Sequence, residues 1–530
     1  MRAPLFHRLV GSVLRHLLQD RGEEVSSARD EQSFAATEDL TVRGLAGGRL
    51  DLAGQSEGLL DDEALEFGIN GNGSLGHGVL PENGMPHSYR TAVKAPENFG
   101  APIQFSWVFG ADTDPGADAV TELRLALARG PLNRAVSRTR VPAARDRWVR
   151  SAVSVIPTRT EHIADDEVSD WLDRRLRTAR LDPAEGSAWR LDDAVTGDGR
   201  RVVSLLVSHM VTDGQGVYRA LDAAAAGLAA ELPPAGSARG VRAVRDDLTD
   251  AARQLGAAAR AVRIVAAEAA RGLSQRTQAP PAPVRPVPPD PDDCPDTDCP
   301  DTTLAIVDVD RETWHRRAQE YGGTANSLFV AVLAGIVTRA GVPVGEGRDA
   351  LTKVCIAVSR RGDESDDRAN ASGGVWIRVP GEVEPRMDLS VIRSQSKKAF
   401  VEYAESGADR TADNLQAIVR LLPGTLIGKM MRAIPGPDTT VSNLGVAPET
   451  ALTIGGSVAE RFSIRAIMLG VPPSARRKQG PAIAAWAVEY HDRITLTFFG
   501  INPDHFGDPE LLHKLISTEL AAWGVPGRPW

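Results

Sequence analysis

The stretch APPAPVRPVPPDPDDCPDTDCPD, Ala279 to Asp301, can be neither a helix nor a central strand. Proline lacks the backbone N–H that a helix or ladder needs and locks φ, so this density makes an extended, semi-rigid spacer. The regular structure of the 530-residue chain must therefore be assembled on either side of it. That length can bury more than one core. Cys294 and Cys299 lie inside the spacer with C-x4-C spacing. Two ligands do not make a zinc site, so no metal is expected there.

Both flanks alternate strand and helix patterns. Before the spacer, APIQFSWVFG (Ala101 to Gly110) predicts a strand and DAVTELRLALARG a helix; RDRWVRSAVSVIP predicts a strand and DEVSDWLDRRLRTARLDP a helix. AWRLDDAVTGDGRRVVSLLVSH then predicts a hairpin turning through Gly197 to Gly199. Two helical segments follow, GVYRALDAAAAGLAAEL and the Ala-rich run from Val244 to Ser274. After the spacer, TTLAIVDVD, LTKVCIAVSRR, GGVWIRVPG and TTVSNLG predict strands, and ANSLFVAVLAGIVTRAG predicts an apolar helix. Further helices are expected over Leu389 to Tyr403 and Leu415 to Leu422, and a hairpin with its turn at His491 to Arg493. Strands mixed with helices, hairpins among them, predict an α/β sandwich with mixed sheets and not a simple Rossmann chain.

Charge and cysteine usage narrow the function classes. The net charge of −9 and pI near 5.7 give no basic face of the kind that grips nucleic acid. Three cysteines make no disulfide framework, which fits a reducing, cytoplasmic compartment. Residues 1–22, MRAPLFHRLVGSVLRHLLQDRG, place Phe6, Val10, Val13, Leu14 and Leu17 at helical spacing among arginines. Arg8, Arg15 and His16 break any signal-peptide core. The basic amphipathic helix suits either packing on its own protein or peripheral contact with a membrane or lipid surface. GNGSLG (Gly71 to Gly76) matches a dinucleotide-loop pattern but has neither the strand before it nor the helix after it.

The chemistry-bearing motif is SHMVTDGQG, Ser208 to Gly216, at the end of the apolar strand RRVVSLLV. A histidine on a tight turn off a strand end can project its imidazole into a cleft, and its ordinary pKa near 6.5 suits proton transfer at neutral pH. His209 is thus a candidate base, a metal ligand or a satisfied structural histidine. The metal reading lacks a third ligand at sensible spacing. Asp213 begins the next helix, where a carboxylate can cap backbone N–H groups or pair with an arginine. Gly214 is read as relieving steric limits at the turn. Cys355, in the alternating strand KVCIAVS, is read as core filler and not as a nucleophile.

Several segments in a fixed order resemble the chloramphenicol-acetyltransferase-like superfamily of thioester-dependent acyltransferases and condensation domains, most of all its bacterial wax ester synthase/diacylglycerol acyltransferase branch. That branch carries H-H-x-x-x-D-G, whose second histidine falls on His209 and whose first is replaced here by Ser208. LDPAEGSAWRL, TANSLFVAVLAGIVTRAG, VCIAVSRR, RANASGG and VSNLG are each similar to a family segment, from about residue 85 to the end.

The resemblance implies two lobes around a through-running tunnel, with the segments 1–84 (N-terminal extension), 85–278 (first lobe), 279–301 (linker) and 302–530 (second lobe). It implies that Asp213 is structural and pairs with an arginine of the second lobe, by motif Arg361, with Arg360 as the neighbouring alternative. Asn370, Ser442 and Asn443 are expected at the lobe contact and tunnel, and Thr440 or Ser442 as oxyanion donors. The implied reaction moves an acyl group from acyl-CoA or an acyl carrier protein to an alcohol, with His209 as general base and no acyl-enzyme. Amide formation on an amine acceptor in natural-product biosynthesis, or a catalytically degenerate binding module, are the alternatives. No cofactor beyond the thioester co-substrate is expected.

Overall fold

The structure is a computed structural model that describes residues 100–153, 159–235, 240–275, 301–344, 351–362, 366, 368–380, 383–406 and 436–530. The expected N-terminal helix, GNGSLG, Leu415 to Leu422, and the spacer with its two cysteines up to residue 300 fall outside them. By compactness the chain divides into residues 1–69 with 259–287, and residues 70–258 with 288–530. The second unit holds every element discussed below except the C-terminal part of the long helix α4.

In chain order, the first sheet takes strands β1 (Pro102–Phe109), β2 (Glu161–Ile163), β3 (Trp189–Thr196) and β4 (Arg201–Ser208). Helices α1 (Gly116–Arg129), α2 (Val168–Arg177), α3 (Gly214–Ala225) and α4 (Val241–Gln275) lie among and after them. The second sheet takes β5 (Thr303–Asp310), β6 (Leu351–Ser359), β7 (Ser372–Pro380) and β8 (Thr439–Val446). Next come β9 (Arg461–Ala466), β10 (Ile483–Tyr490), β11 (Arg493–Gly500) and β12 (Arg528–Pro529). Helix α5 (Ala325–Arg339) and helix α6 (Ser390–Ser406) precede β6 and β8 respectively. The result is the mixed α/β architecture that the alternating patterns predict.

The two sheets are not divided by chain order. The five-stranded sheet runs β9-β1-β4-β3-β2, so a strand from beyond residue 302 completes the sheet built by the earlier residues. β9 pairs antiparallel with β1, from Ile103 opposite Ala466 to Val108 opposite Arg461. RFSIRA alternates polar and apolar residues as a strand does, but nothing local tells which sheet it joins. Arg465 is 1% exposed, with Nη1 2.6 Å from an Asp173 oxygen and Nε donating to Gln104 Oε1 at 2.8 Å. A buried charge is tolerable only when paired in this way. The seven-stranded sheet runs β12-β5-β11-β10-β8-β6-β7, with β8 parallel to both neighbours.

β9 is also tied to the second sheet. The Phe462 N–H donates to the Tyr490 hydroxyl at 2.8 Å, and the Thr497 hydroxyl donates to the Ile464 carbonyl at 2.6 Å. Phe462 packs against Phe105, Trp107 and Tyr490, with centroids 5.9, 5.5 and 6.0 Å away. Helix α5 centres the other core. It is capped by the Thr324 hydroxyl accepting from the Ser327 N–H at 3.2 Å, and Ala325 to Val337 are buried on every side. A helix without a polar face is stable in water only when enclosed like this.

Two expected elements are shorter than their patterns. The predicted helix GVYRALDAAAAGLAAEL is helical only to Ala225, because Gly227 at φ +67° turns the chain. Of RDRWVRSAVSVIP, Arg147–Arg150 form a strand, and residues 154–157 lie outside the described residues. No single described helix is long and apolar enough to cross a membrane.

Candidate active site

β4 carries the motif to its position. Ser208 pairs with Pro102 in the β1–β4 register, and the His209 N–H extends the ladder by one bond, donating to Ala101 O at 2.8 Å. The chain then turns, with the Val211 N–H donating to Ser208 O at 3.0 Å. Ser208 is 3% exposed, and its hydroxyl accepts from the Met210 N–H at 3.4 Å. The residue in place of a first histidine therefore faces the interior of the turn.

Asp213 is the N-cap of α3, its Oδ1 accepting from the Gly216 N–H at 2.8 Å. The same carboxylate receives Arg361 Nε at 3.1 Å on Oδ1 and Nη2 at 2.9 Å on Oδ2. The Ala371 N–H adds a bond of 2.6 Å to Oδ2. Each oxygen thus accepts two hydrogen bonds. Arg361 spends its remaining N–H groups on the carbonyls of Asp366 (3.4 Å), Arg368 (2.9 Å) and Ala369 (2.8 Å). Side-chain exposures of 5% and 7% make this a buried pair in which every donor and lone pair is used, the condition under which such a pair is stable. The partner is Arg361; the Arg360 backbone N–H instead donates to Ala371 O at 2.6 Å.

The pair joins the turn after β4 to the β6–β7 connection and so sets Asn370 beside the histidine. Asn370 Nδ2 is 2.9 Å from His209 Nδ1 and 3.0 Å from His209 O. Asn370 Oδ1 accepts from the Ser372 N–H at 2.9 Å and the Ser372 hydroxyl at 2.6 Å. Among the described residues, no hydrogen bond engages His209 Nε2.

The glycines owe their identity to close approach. Gly214 does not have positive φ; a Cβ there would run into the Leu444 side chain. Its role is to admit Leu444, not to permit an unusual turn. Gly216, not singled out by the sequence reading, sits against Thr212 and 2.6 Å from Arg361 Nη2 when a Cβ is built on it.

The strand β8 contributes less directly. Asn443 Oδ1 accepts from the Gly445 N–H at 2.9 Å, where the register with β10 shifts between Asn443 and Val446. Its side chain holds the bulge that delivers Leu444. Thr440 and Ser442 are partly exposed, and among the described residues no hydrogen bond connects either to His209. Cys355 on β6 pairs across from Trp376, and burial pushes its thiol up to about 11, far from a thiolate at neutral pH.

Beside the pair, Asp366 accepts from the Gly362 N–H at 2.8 Å and from Arg368 Nε and Nη2 at 2.9 and 2.6 Å. Burial raises this carboxyl, but the Arg368 side chain, the Gly362 and Arg368 N–H groups and the Arg368 charge outweigh it and hold it well below the usual range. Among the described residues, no three His, Cys, Asp or Glu side chains group as a metal site.

No protein-family model matches the chain. Two strains of Mycobacterium tuberculosis, H37Rv and CDC 1551, each have a protein named "Putative diacyglycerol O-acyltransferase" that is 22% identical over 168 residues. The match spans 31% of this chain and 32% of each relative, so the chain aligns with about a third of their length. Among solved structures, it is similar to the wax ester synthase/diacylglycerol acyltransferase of Marinobacter aquaeolei VT8, at 13% identity and TM-score 0.49, covering 83% of this chain and 97% of that one. It is also similar to the first condensation domain of the CDA synthetase, at 16% identity and TM-score 0.46, covering 86% and 98%. The condensation domain of the Monacolin K polyketide synthase MokA gives 13% identity and TM-score 0.49, covering 82% and 94%.

Proposed function

We propose that this protein is an acyltransferase that moves an acyl group from a thioester, acyl-CoA or acyl carrier protein, to an acceptor hydroxyl, with His209 as general base. The observation that carries the reading is a histidine held on both sides, by the Ala101 carbonyl at its backbone and by Asn370 at Nδ1, with no partner on Nε2 among the described residues. A structural histidine would ordinarily have both ring nitrogens satisfied. The ordered resemblance of the motif segments and the partial likeness to the diacylglycerol acyltransferase relatives support the same chemistry.

In this mechanism neutral His209 takes the proton of the acceptor hydroxyl as its oxygen attacks the thioester carbonyl. The tetrahedral oxyanion collapses, the C–S bond breaks, and the departing thiolate takes the proton back from the imidazolium. Two substrates held together supply the effective molarity, so no acyl-enzyme is needed. Thr440 and Ser442, spaced two apart and so on one face of β8, are the proposed oxyanion donors. A tunnel between the two sheets, admitting thioester and acceptor from opposite faces, completes the proposal.

The test is thiol release from short to long acyl-CoAs and acyl carrier proteins, with pooled alcohols and amines. Acceptor-dependent release that falls by about 10²–10⁴ in His209→Ala, the scale of a lost general base, is the expected result. Release only with amines would make the product an amide. Equal background from both proteins with every donor would reduce the fold to a binding module.

A further inference from the structure

We infer that Asn370 is a positioning residue that sets the tautomer of His209, holding the neutral ring with its proton on Nε2 and with Nδ1 bare. The catalytic consequence rests on the proposed acyl transfer, whereas the tautomer itself does not.

Asparagine oxygen and nitrogen are distinguished by their partners and not by their shape. Here the Ser372 backbone N–H, which can only donate, lies 2.9 Å from Asn370 Oδ1. The oxygen must therefore face Ser372, and the Ser372 hydroxyl, 2.6 Å away, donates to it as well. The amide NH2 is left facing His209, with one N–H directed to the carbonyl at 3.0 Å and the other to Nδ1 at 2.9 Å. A nitrogen that accepts an N–H carries no hydrogen of its own, so the proton of the neutral ring sits on Nε2. The backbone beside it is anchored, since the Ala371 N–H donates to Asp213 at 2.6 Å. The Asp213–Arg361 pair thereby orients the amide that orients the histidine.

This arrangement presents His209 to its first ligand as a donor at Nε2. To take a proton at Nε2, the ring must carry its hydrogen on Nδ1, which would then oppose the Asn370 N–H, donor against donor. His209 is thus a latent base in the free protein, and it becomes competent only when Asn370 exchanges its bond to Nδ1.

Two-bond 1H–15N correlation spectra of the full chain labelled with 15N-histidine, with His209 assigned by His209→Gln, read the tautomer directly. Wild type should show a pyridine-type Nδ1 and a pyrrole-type Nε2 for the neutral ring. Asn370→Asp keeps an oxygen for Ser372 and puts a second one opposite Nδ1, so the pattern should reverse. Should that variant fail to melt cooperatively, Asn370→Ala serves instead, and both nitrogens should move to averaged positions. A protonated Nδ1 in the wild type, or an unmoved spectrum in the folded variant, overturns the inference. Thiol release in the same proteins is a separate readout. Release that does not depend on His209, alongside the expected spectra, would sink the acyl-transfer reading and leave the Asn370 assignment standing.

Discussion

Asp213 and Arg361, 148 positions apart, meet through two hydrogen bonds of 3.1 and 2.9 Å between one carboxylate and one guanidinium edge. The contact closes the turn after β4 against the β6–β7 connection, and with the Ala371 N–H bond it brings Asn370 to His209.

Breaking that pair should be costly on one side and milder on both. Arg361→Ala leaves the Asp213 charge buried and is expected to destabilise the fold by about 3–5 kcal/mol in denaturant titrations. Arg361→Lys retains charge but loses the two-point geometry and should recover only part. The double change Asp213→Leu with Arg361→Met should be less destabilised than the sum of its singles, because neither leaves a stranded charge.

Gly216→Ala should behave as a mild version of the same lesion. The added carbon stands 2.6 Å from Arg361 Nη2, so the guanidinium must shift, at a cost of about 1–3 kcal/mol typical of overpacking. Thermal melting and thiol release of the variant should fall together. A variant as stable as wild type would show that the neighbouring side chains yield freely.

Cys355→Ala should leave acceptor-dependent thiol release within about 2-fold of wild type, as expected for a thiol whose burial keeps it protonated. Alkylation of Cys355, followed by mass spectrometry, should be slow at pH 7 and accelerate steadily as pH approaches the raised value of about 11. Rapid alkylation at pH 7 would contradict this.

The Asp366 carboxyl supplies a pH signature. Its folded pKa lies below the ordinary value near 4. Its contribution is therefore fully present above about pH 4 and is lost as pH falls from there toward the folded value. Asp366→Asn should lower stability at pH 7 and flatten the acid limb of the melting-temperature profile. An unchanged acid limb would mean that the Arg368 contact adds nothing.

Local features were legible because they depend on near neighbours. The hairpin through Gly197 to Gly199 lies between two runs of strand-forming residues and appears as β3 and β4 in antiparallel register. The apolar run after Thr324 is a buried helix, as its composition requires. The motif segments identified the residues of the Asp213–Arg361 contact through their resemblance to a family, not through any periodicity of their own. Gly214 does relieve a steric limit at the turn, but the limit is set by Leu444, a residue 230 positions later whose approach no local pattern reports.

By itself, then, the sequence determined the alternation of strands and helices and the candidate base at the end of an apolar strand. These follow from backbone limits and side-chain burial within a few residues. Tertiary structure alone decided that β9 crosses to pair with β1, that Leu444 closes on Gly214, and that the Asn370 amide faces His209 with its nitrogen. Each of these depends on where a distant partner lies and which atom it presents, because hydrogen bonds and ion pairs are fixed by distance and direction in space. Hydropathy along the chain carries neither quantity.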